Sequence, residues 1–266
     1  MDVGLTTLAS NAGHPNLSHI VPLVNKTKET PLRPAIQLQH HKPVTPVKVD
    51  WLNFLVTGYH PPLCQFLVNG FHYGFRVGFV RERRAAQSPN LKSALKQPQA
   101  LWCKLLKELE AGRIRGPFRV LPFGNLFVPL QALFPKKVPS EFCLIQHLSY
   151  PYGSSVNDFI PERTSLVRYA SISDAITVIK QLGPGCFMAK TDIKSAFRII
   201  PIHPSDFPLL GMKWDNQFYY DICLPMGLPS SCAIFEAFSS SLEWISLHRF
   251  GASGVFHILD DFLFNA

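Results

Sequence analysis

Two adjacent aspartates, Asp260 and Asp261, stand between two short runs of apolar, β-type residues that begin at Gly254 and end at Phe264. The pattern reads as a hairpin with the carboxylates at its tip, anchored by Val255, Phe256, Ile258, Phe262 and Phe264. Turning the chain at this point lets a carboxylate face an open cleft while both flanking strands stay packed. The sequence stops soon afterwards, at Ala266, and so reads as a piece of something longer.

The hairpin closes an order of elements that runs β, α, ββ, α, ββ. A strand is expected over Cys186 to Asp192, two more over Leu209 to Trp214 and Phe218 to Leu224 around Asp215-Asn216-Gln217, and a helix over Ser230 to His248. Read as one sheet with helices on one face and a cleft on the other, this is an α+β layer. Two helices are marked by their ends. One starts at Pro98 and stops before Gly112, with Leu101, Leu105, Leu106 and Leu109 as its apolar face. The other follows Ser171, with Asp174 completing a capping box, Ile172, Ala175, Ile176, Ile179 and Leu182 as a buried stripe, and Gly183 as the stop. Both are expected to pack on the sheet. Between Val49 and Val80, aromatic residues separated by Gly70, Gly74 and Gly78 suggest short helices ending at glycines. Residues 1–48, with six prolines among polar residues, read as an extended leader.

Composition narrows the classes of function. The chain is 47% hydrophobic, enough to bury one large core or two modest ones. Its net charge of +8 and pI near 9.2 suit a polyanionic partner such as nucleic acid. Cys64, Cys103, Cys143, Cys186, Cys223 and Cys232 show no regular spacing and read as reduced core residues of an intracellular protein. His40 and His41 lack a neighbouring Cys or carboxylate that would make them a zinc site. No apolar run has the length of a membrane span, and no secretory signal opens the sequence, so no membrane partner is expected.

Three segments carry the chemistry. Lys190 to Pro201 puts Asp192 at the end of an apolar strand with Phe197 five residues later. Leu224 to Glu236 is a Pro/Gly loop opening a helix at Ser230 or Ser231, able to lie against a nucleotide or template. The third is the Asp260-Asp261 pair. Two-metal nucleotidyl transfer needs clustered carboxylates that hold two Mg²⁺ ions roughly 4 Å apart. A strand-end aspartate facing a hairpin-tip aspartate supplies that geometry.

At these residues the chain resembles reverse transcriptases. Asp192 with Ala196-Phe197 is similar to motif A, Leu224 to Phe235 to motif B, and Leu259-Asp260-Asp261-Phe262 to the Tyr-x-Asp-Asp box of motif C. Phe134 to Pro151 is similar to the fingers hairpin that grips the incoming triphosphate. Ser88 to Leu95, Gly112 to Phe118 and Leu148 to Asp158 narrow the resemblance to DIRS-type retrotransposons, which encode a tyrosine recombinase elsewhere. The resemblance spans roughly Val49 to Ala266.

It implies a right-hand polymerase with an N-terminal helical extension of the fingers at 49–120, fingers at 121–185 and a palm at 186–266 that stops just after motif C, without a thumb. Its activity would be RNA-directed DNA polymerisation from dNTPs on a primed RNA or DNA template, with two Mg²⁺ ions, Mn²⁺ serving in their place. Asp192 and Asp260 become the chief metal ligands, with Asp261 a weaker ligand or electrostatic support and the Ile193 carbonyl completing the set. Phe197 would exclude a 2′-hydroxyl, Lys136 or Lys137 would contact the triphosphate, and Met226 and Gly227 would lie beside the nucleotide.

Two departures stand out. Cys143 occupies the place of an arginine that clamps the triphosphate, a role a thiol cannot fill. Its loss costs about 2 to 3 kcal/mol in nucleotide use unless Arg163 or Lys137 compensates. Met226 stands where retroviral enzymes carry glutamine. Lacking a thumb, such a fragment is expected to polymerise weakly or not at all, which leaves a catalytically degenerate nucleic-acid-binding remnant as the alternative. An ordinary α+β domain with turn aspartates is the third reading.

Overall fold

The computed structural model describes residues 43–138 and 141–265. The expected leader therefore lies outside the described residues up to position 42, His40 and His41 with it.

The chain is α+β. Short helices appear where the glycines suggest them, as α1 (Val49–Leu55) and α2 (Pro61–Tyr73). Proline at the start of α2 loses no intrahelical bond, and Gly74 ends it at a φ of 93°. Then come β1 (Ala86–Gln87), α3 (Lys92–Leu95), α4 (Pro98–Glu110), β2 (Ile114–Phe118) and β3 (Phe127–Val128). A hairpin follows, β4 (Gln131–Pro135) against β5 (Phe142–Gln146). Helix α4 begins at Pro98 as its sequence predicts. It buries Leu101 and Leu105 against Ala94, Ile114, Leu133, Met212 and Tyr219, while Leu106 stays exposed.

The second half contains α5 (Ile172–Leu182), β6 (Met188–Asp192), β7 (Gly211–Trp214), β8 (Gln217–Asp221), α6 (Pro229–Arg249), β9 (Gly254–Ile258) and β10 (Asp261–Asn265). One sheet was expected to hold all of these strands, but they divide between two. Strands β6, β10 and β9 form one antiparallel sheet; β7 and β8 join β2 in another. The cause is the proline-rich stretch after β6. Pro201, Pro204 and Pro208 withdraw ladder donors, and Pro204–Leu209 folds as a buried 3₁₀ turn that carries the chain away from β6. Strand β8 then pairs with β2, Ile114 opposite Asp221.

Helix α5 has the expected limits and capping box: the Ser171 hydroxyl accepts from the Asp174 N–H, and the Ser171 N–H donates to the Asp174 carboxylate. Its stripe, however, is not buried. Ile172 is 74% exposed, and Ile176 and Leu182 are exposed as well. Helix α5 still approaches the sheet, since a Cβ on Gly254 of β9 would lie 3.3 Å from its Val178 side chain, and α6 packs on the same strand.

Helix α6 starts one residue earlier than expected. Ser230 and Ser231 lie inside its first turn and are not caps; their hydroxyls are buried and donate to the carbonyls of Val77 and Pro225. Through α6 a single large core joins α1, α2, the segment after β6 and β8, with Leu52, Phe71, Phe75, Ile200, Ile222, Phe235 and Phe238 among its members. Of the cysteines only Cys223 is a buried core residue, and Cys103 is exposed, a correction to the uniform reading. Among the described residues no helix is long and apolar enough to cross a membrane.

Candidate functional site

The β9–β10 connection is a two-residue turn, Leu259-Asp260, with Ile258 and Asp261 as the closing pair. Leu259 takes a φ of 55°, a left-handed conformation that an apolar residue adopts only when the surroundings hold it there. The tip is therefore Leu259 and Asp260, and Asp261 opens β10. On its other edge β10 pairs with β6, with Asp261 directly opposite Asp192. Motif positions 68 or more residues apart in the chain thus become cross-strand neighbours, whose Cβ atoms lie about 5 Å apart in an antiparallel pair. The Ile193 N–H donates to the Asp260 carbonyl at 2.9 Å, tying the end of β6 to the turn.

Asp192 and Asp261 are exposed and Asp260 is half-buried. The Ile193 carbonyl accepts from the Ala196 N–H at 3.1 Å, which engages one of its two lone pairs. The donor set suits a hard cation, since it consists of oxygen alone. Among the described residues no three His, Cys, Asp or Glu side chains already converge to hold a metal ion. A cation nevertheless stands in the cluster: the Lys190 ammonium lies 3.0 Å from the Asp261 carboxylate. Its hydrogen bond to Asp261 and that residue's charge, followed by the charges of Asp192 and Asp260, hold the ammonium above its usual range. Lys190 did not figure among the expected site residues. The signal was present, because a residue two before Asp192 on a strand shares its face.

Phe197 sits in a 3₁₀ turn, Ala196–Ile199, entered through Ser195 at a φ of 64°. Its ring is half-buried and packs on Phe235 of α6, with centroids 5.1 Å apart. The next residue fixes the turn. Arg198 donates to Glu108 of α4, to Asp221 of β8 and to the carbonyls of Cys223 and Leu224. Burial works against the guanidinium charge, but the Asp221 and Glu108 carboxylates outweigh it and strengthen its hold on the proton.

The loop before α6 carries an exposed Met226 and a Gly227 at a φ of 97°. It lies against the base of the β4–β5 hairpin. The Gly227 carbonyl accepts from the Asn157 side chain at 2.8 Å, and a Cβ on Gly227 would sit 3.5 Å from the Gln146 carbonyl. At the hairpin's far end, Lys136 pairs with Glu141 at 3.4 Å. Lys137 makes no ion pair among the described residues. Cys143 lies opposite Phe134. Because Phe142 and Leu144 pack toward α4, alternation places Cys143 on the hairpin's other face.

Beneath the turn, His257 of β9 is clamped to α6, with Nε2 3.0 Å from Glu236 and Nδ1 2.5 Å from Glu243. Burial would lower its pKa, but the hydrogen bonds and charges of the two glutamates prevail and raise it to about 9. Both ring nitrogens then donate. The native chain holds a proton that the unfolded chain releases above about pH 6.5. This stabilisation is complete below that value and is lost as pH rises through about 9. Unfolding free energies of the wild type from urea titrations are expected to fall over that window, with the His257 contribution at most about 1.4 kcal/mol per pH unit, and those of His257→Gln to fall less. A parallel decline in both proteins would contradict the assignment.

No protein-family model and no curated protein matches the chain. Solved structures do. The native crystal structure of prototype foamy virus protease-reverse transcriptase is 20% identical over 70% of this chain and 22% of that chain, with a TM-score of 0.47. The selenomethionine-labelled CSH mutant of the same protein is 19% identical over 83% of this chain and 27% of that one, with a TM-score of 0.49. The foamy viral protease-reverse transcriptase dRH in complex with double-stranded DNA is 18% identical over 71% and 29%, also at 0.49. The chain spans 22% to 29% of the length of these three structures.

Proposed function

We propose that the chain carries the nucleotidyl-transfer centre of an RNA-directed DNA polymerase from a retroelement of the DIRS type. In this reading the β6–β10–β9 sheet is the palm and the β4–β5 hairpin belongs to the fingers. The observation that supports it is the register that sets Asp192 across from Asp261, with Asp260 in the turn and its carbonyl bonded to Ile193.

Asp192, Asp260 and Asp261, with the Ile193 carbonyl, would hold the metal. A bound pair of Mg²⁺ ions, or Mn²⁺ in their place, would supply activation of the primer 3′-hydroxyl and stabilisation of the leaving pyrophosphate. The remaining residues position the dNTP. The exposed edge of Phe197 meets the sugar where a 2′-hydroxyl would clash. Lys136, in an exposed and readily exchanged pair with Glu141, or Lys137 meets the triphosphate. Met226 and Gly227 line the same approach, and the basic balance of the chain favours a primed RNA or DNA template.

The test is primer extension on an RNA template with dNTPs and Mg²⁺ or Mn²⁺. Wild-type chain is expected to give short products, Asp260→Asn none, and Cys143→Arg at least about 30-fold more efficient nucleotide use, since it restores a charge-assisted contact. Product from Asp260→Asn equal to wild type would sink the assignment. Cys143 itself favours a second reading, a remnant that binds nucleic acid without catalysis. If the wild type makes no product, that reading predicts binding to an RNA·DNA hybrid that weakens linearly in log salt, and a flat salt response excludes it.

A further inference from the structure

Lys190 is the one charged side chain in the carboxylate cluster that the proposed reaction does not use. It sits on β6 two residues before Asp192, on the same face of the sheet, and its ammonium touches Asp261 at 3.0 Å. The contact is exposed at both ends, with side-chain exposures of 69% and 58%, so it is easily exchanged. Three carboxylates are carried at this end of the sheet, two of them on directly opposed residues, and mutual repulsion keeps them from converging. A tethered cation offsets that repulsion and at the same time occupies Asp261, the carboxylate directly opposite Asp192.

We propose that Lys190 is a built-in counter-ion of the cluster, a positioning residue that holds Asp261 until a divalent cation displaces it. This rests on the reading of the cluster as a metal site. Two cations cannot share Asp261 at full strength. The dication therefore competes with Lys190 for a ligand and is repelled by its charge, and metal affinity is set lower than the three carboxylates alone would give. Lys194, four residues on, provides the comparison. It carries the same charge and is exposed, but makes no ion pair among the described residues.

Mn²⁺ binding to the purified chain, followed by the electron paramagnetic resonance of free Mn²⁺, tests the proposal without recourse to activity. The expected result is binding about fivefold tighter in Lys190→Met than in wild type, the scale set by a point charge within several ångströms of a dication in a mostly aqueous setting. Lys194→Met should stay within about twofold of wild type, which screening of a more distant charge allows. Lys190→Gln serves as a second variant, with circular dichroism confirming that both fold. Equal affinity of wild type and both Lys190 variants overturns the proposal, as does equal tightening by Lys194→Met. In either case, loss of binding in Asp260→Asn shows that the metal-site reading survives. If the wild type binds no Mn²⁺ and Lys190→Met binds none either, the metal-site reading fails and the inference fails with it.

Discussion

Replacing Arg198 with methionine is expected to destabilise the chain by about 3 to 5 kcal/mol, the range for removing one partner from a buried ionic network. Arg198 joins three separate parts of the molecule: Glu108 of α4, Asp221 of β8 and the chain leading into the Met226 loop. Without it Asp221, fully buried, retains only the Gln146 amide at 2.9 Å, and its charge is left uncompensated. Glu108 suffers less, because Arg113 still holds both of its oxygens, at 2.8 and 2.9 Å. Arg198→Lys should recover little, since a point charge cannot serve two carboxylates and two carbonyls together. The double variant Arg198→Met, Asp221→Leu should recover much of the loss, because it removes the orphaned charge as well. Urea denaturation measures all three; a loss below about 1 kcal/mol in the single methionine variant would mean that the network bears no weight. Any surviving Arg198→Met protein should also hold Phe197 loosely, as the two residues share one short turn.

Gly74→Ala is expected to cost at least about 3 kcal/mol, for two reasons that add. At a φ of 93° and ψ of 148° the residue occupies a region nearly closed to any side chain. A Cβ there would also stand 2.4 Å from the His203 nitrogen and 2.5 Å from the Ile202 carbonyl group. Neither neighbour can yield cheaply, because both are backbone. The Phe75 N–H donates to the Pro201 carbonyl at 2.8 Å and the His203 N–H to the Phe75 carbonyl at 2.9 Å, so the end of α2 is stitched to the segment following Phe197. Gly112→Ala is the control. It too has a positive φ, 69°, but nothing lies within 4 Å of the added carbon, so only the left-handed backbone cost of about 1 to 2 kcal/mol applies. Thermal and urea unfolding of the two variants side by side would settle the matter: equal losses would show that the close approach at Gly74 does not constrain the native chain.

The helices were legible where local chemistry marks their ends. Pro98, the Ser171 and Asp174 pair, and Gly183 act through bonds within a few residues of themselves, so α4 and α5 appear with nearly the limits their sequence predicts. What each helix covers was not legible in the same way. The apolar stripe of α5 is as well patterned as that of α4, yet none of it is fully buried, because amphipathic spacing states that a face can be buried and not what will bury it. The division of the strands between two sheets was hidden for a related reason. Strand β8 has two edges, and its choice of β2 depends on residues about a hundred positions earlier in the chain.

The candidate site divides along the same line. Sequence by itself determined that Asp192 ends a strand, that Asp260 and Asp261 sit where a chain reverses, and that Cys143 lies in a hairpin whose tip bears Lys136 and Lys137. The first two follow from alternation and turn chemistry over short spans, whereas the third rested on the family resemblance alone. Only the tertiary structure decided that Asp261, not Asp260, stands opposite Asp192, that Glu141 engages Lys136, and that the Lys190 ammonium reaches into the cluster. The physical reason is register. A shift of one residue between β6 and β10 would exchange the faces of every side chain on the strand, and that register is held by bonds between residues distant in sequence, such as the one from Ile193 to Asp260.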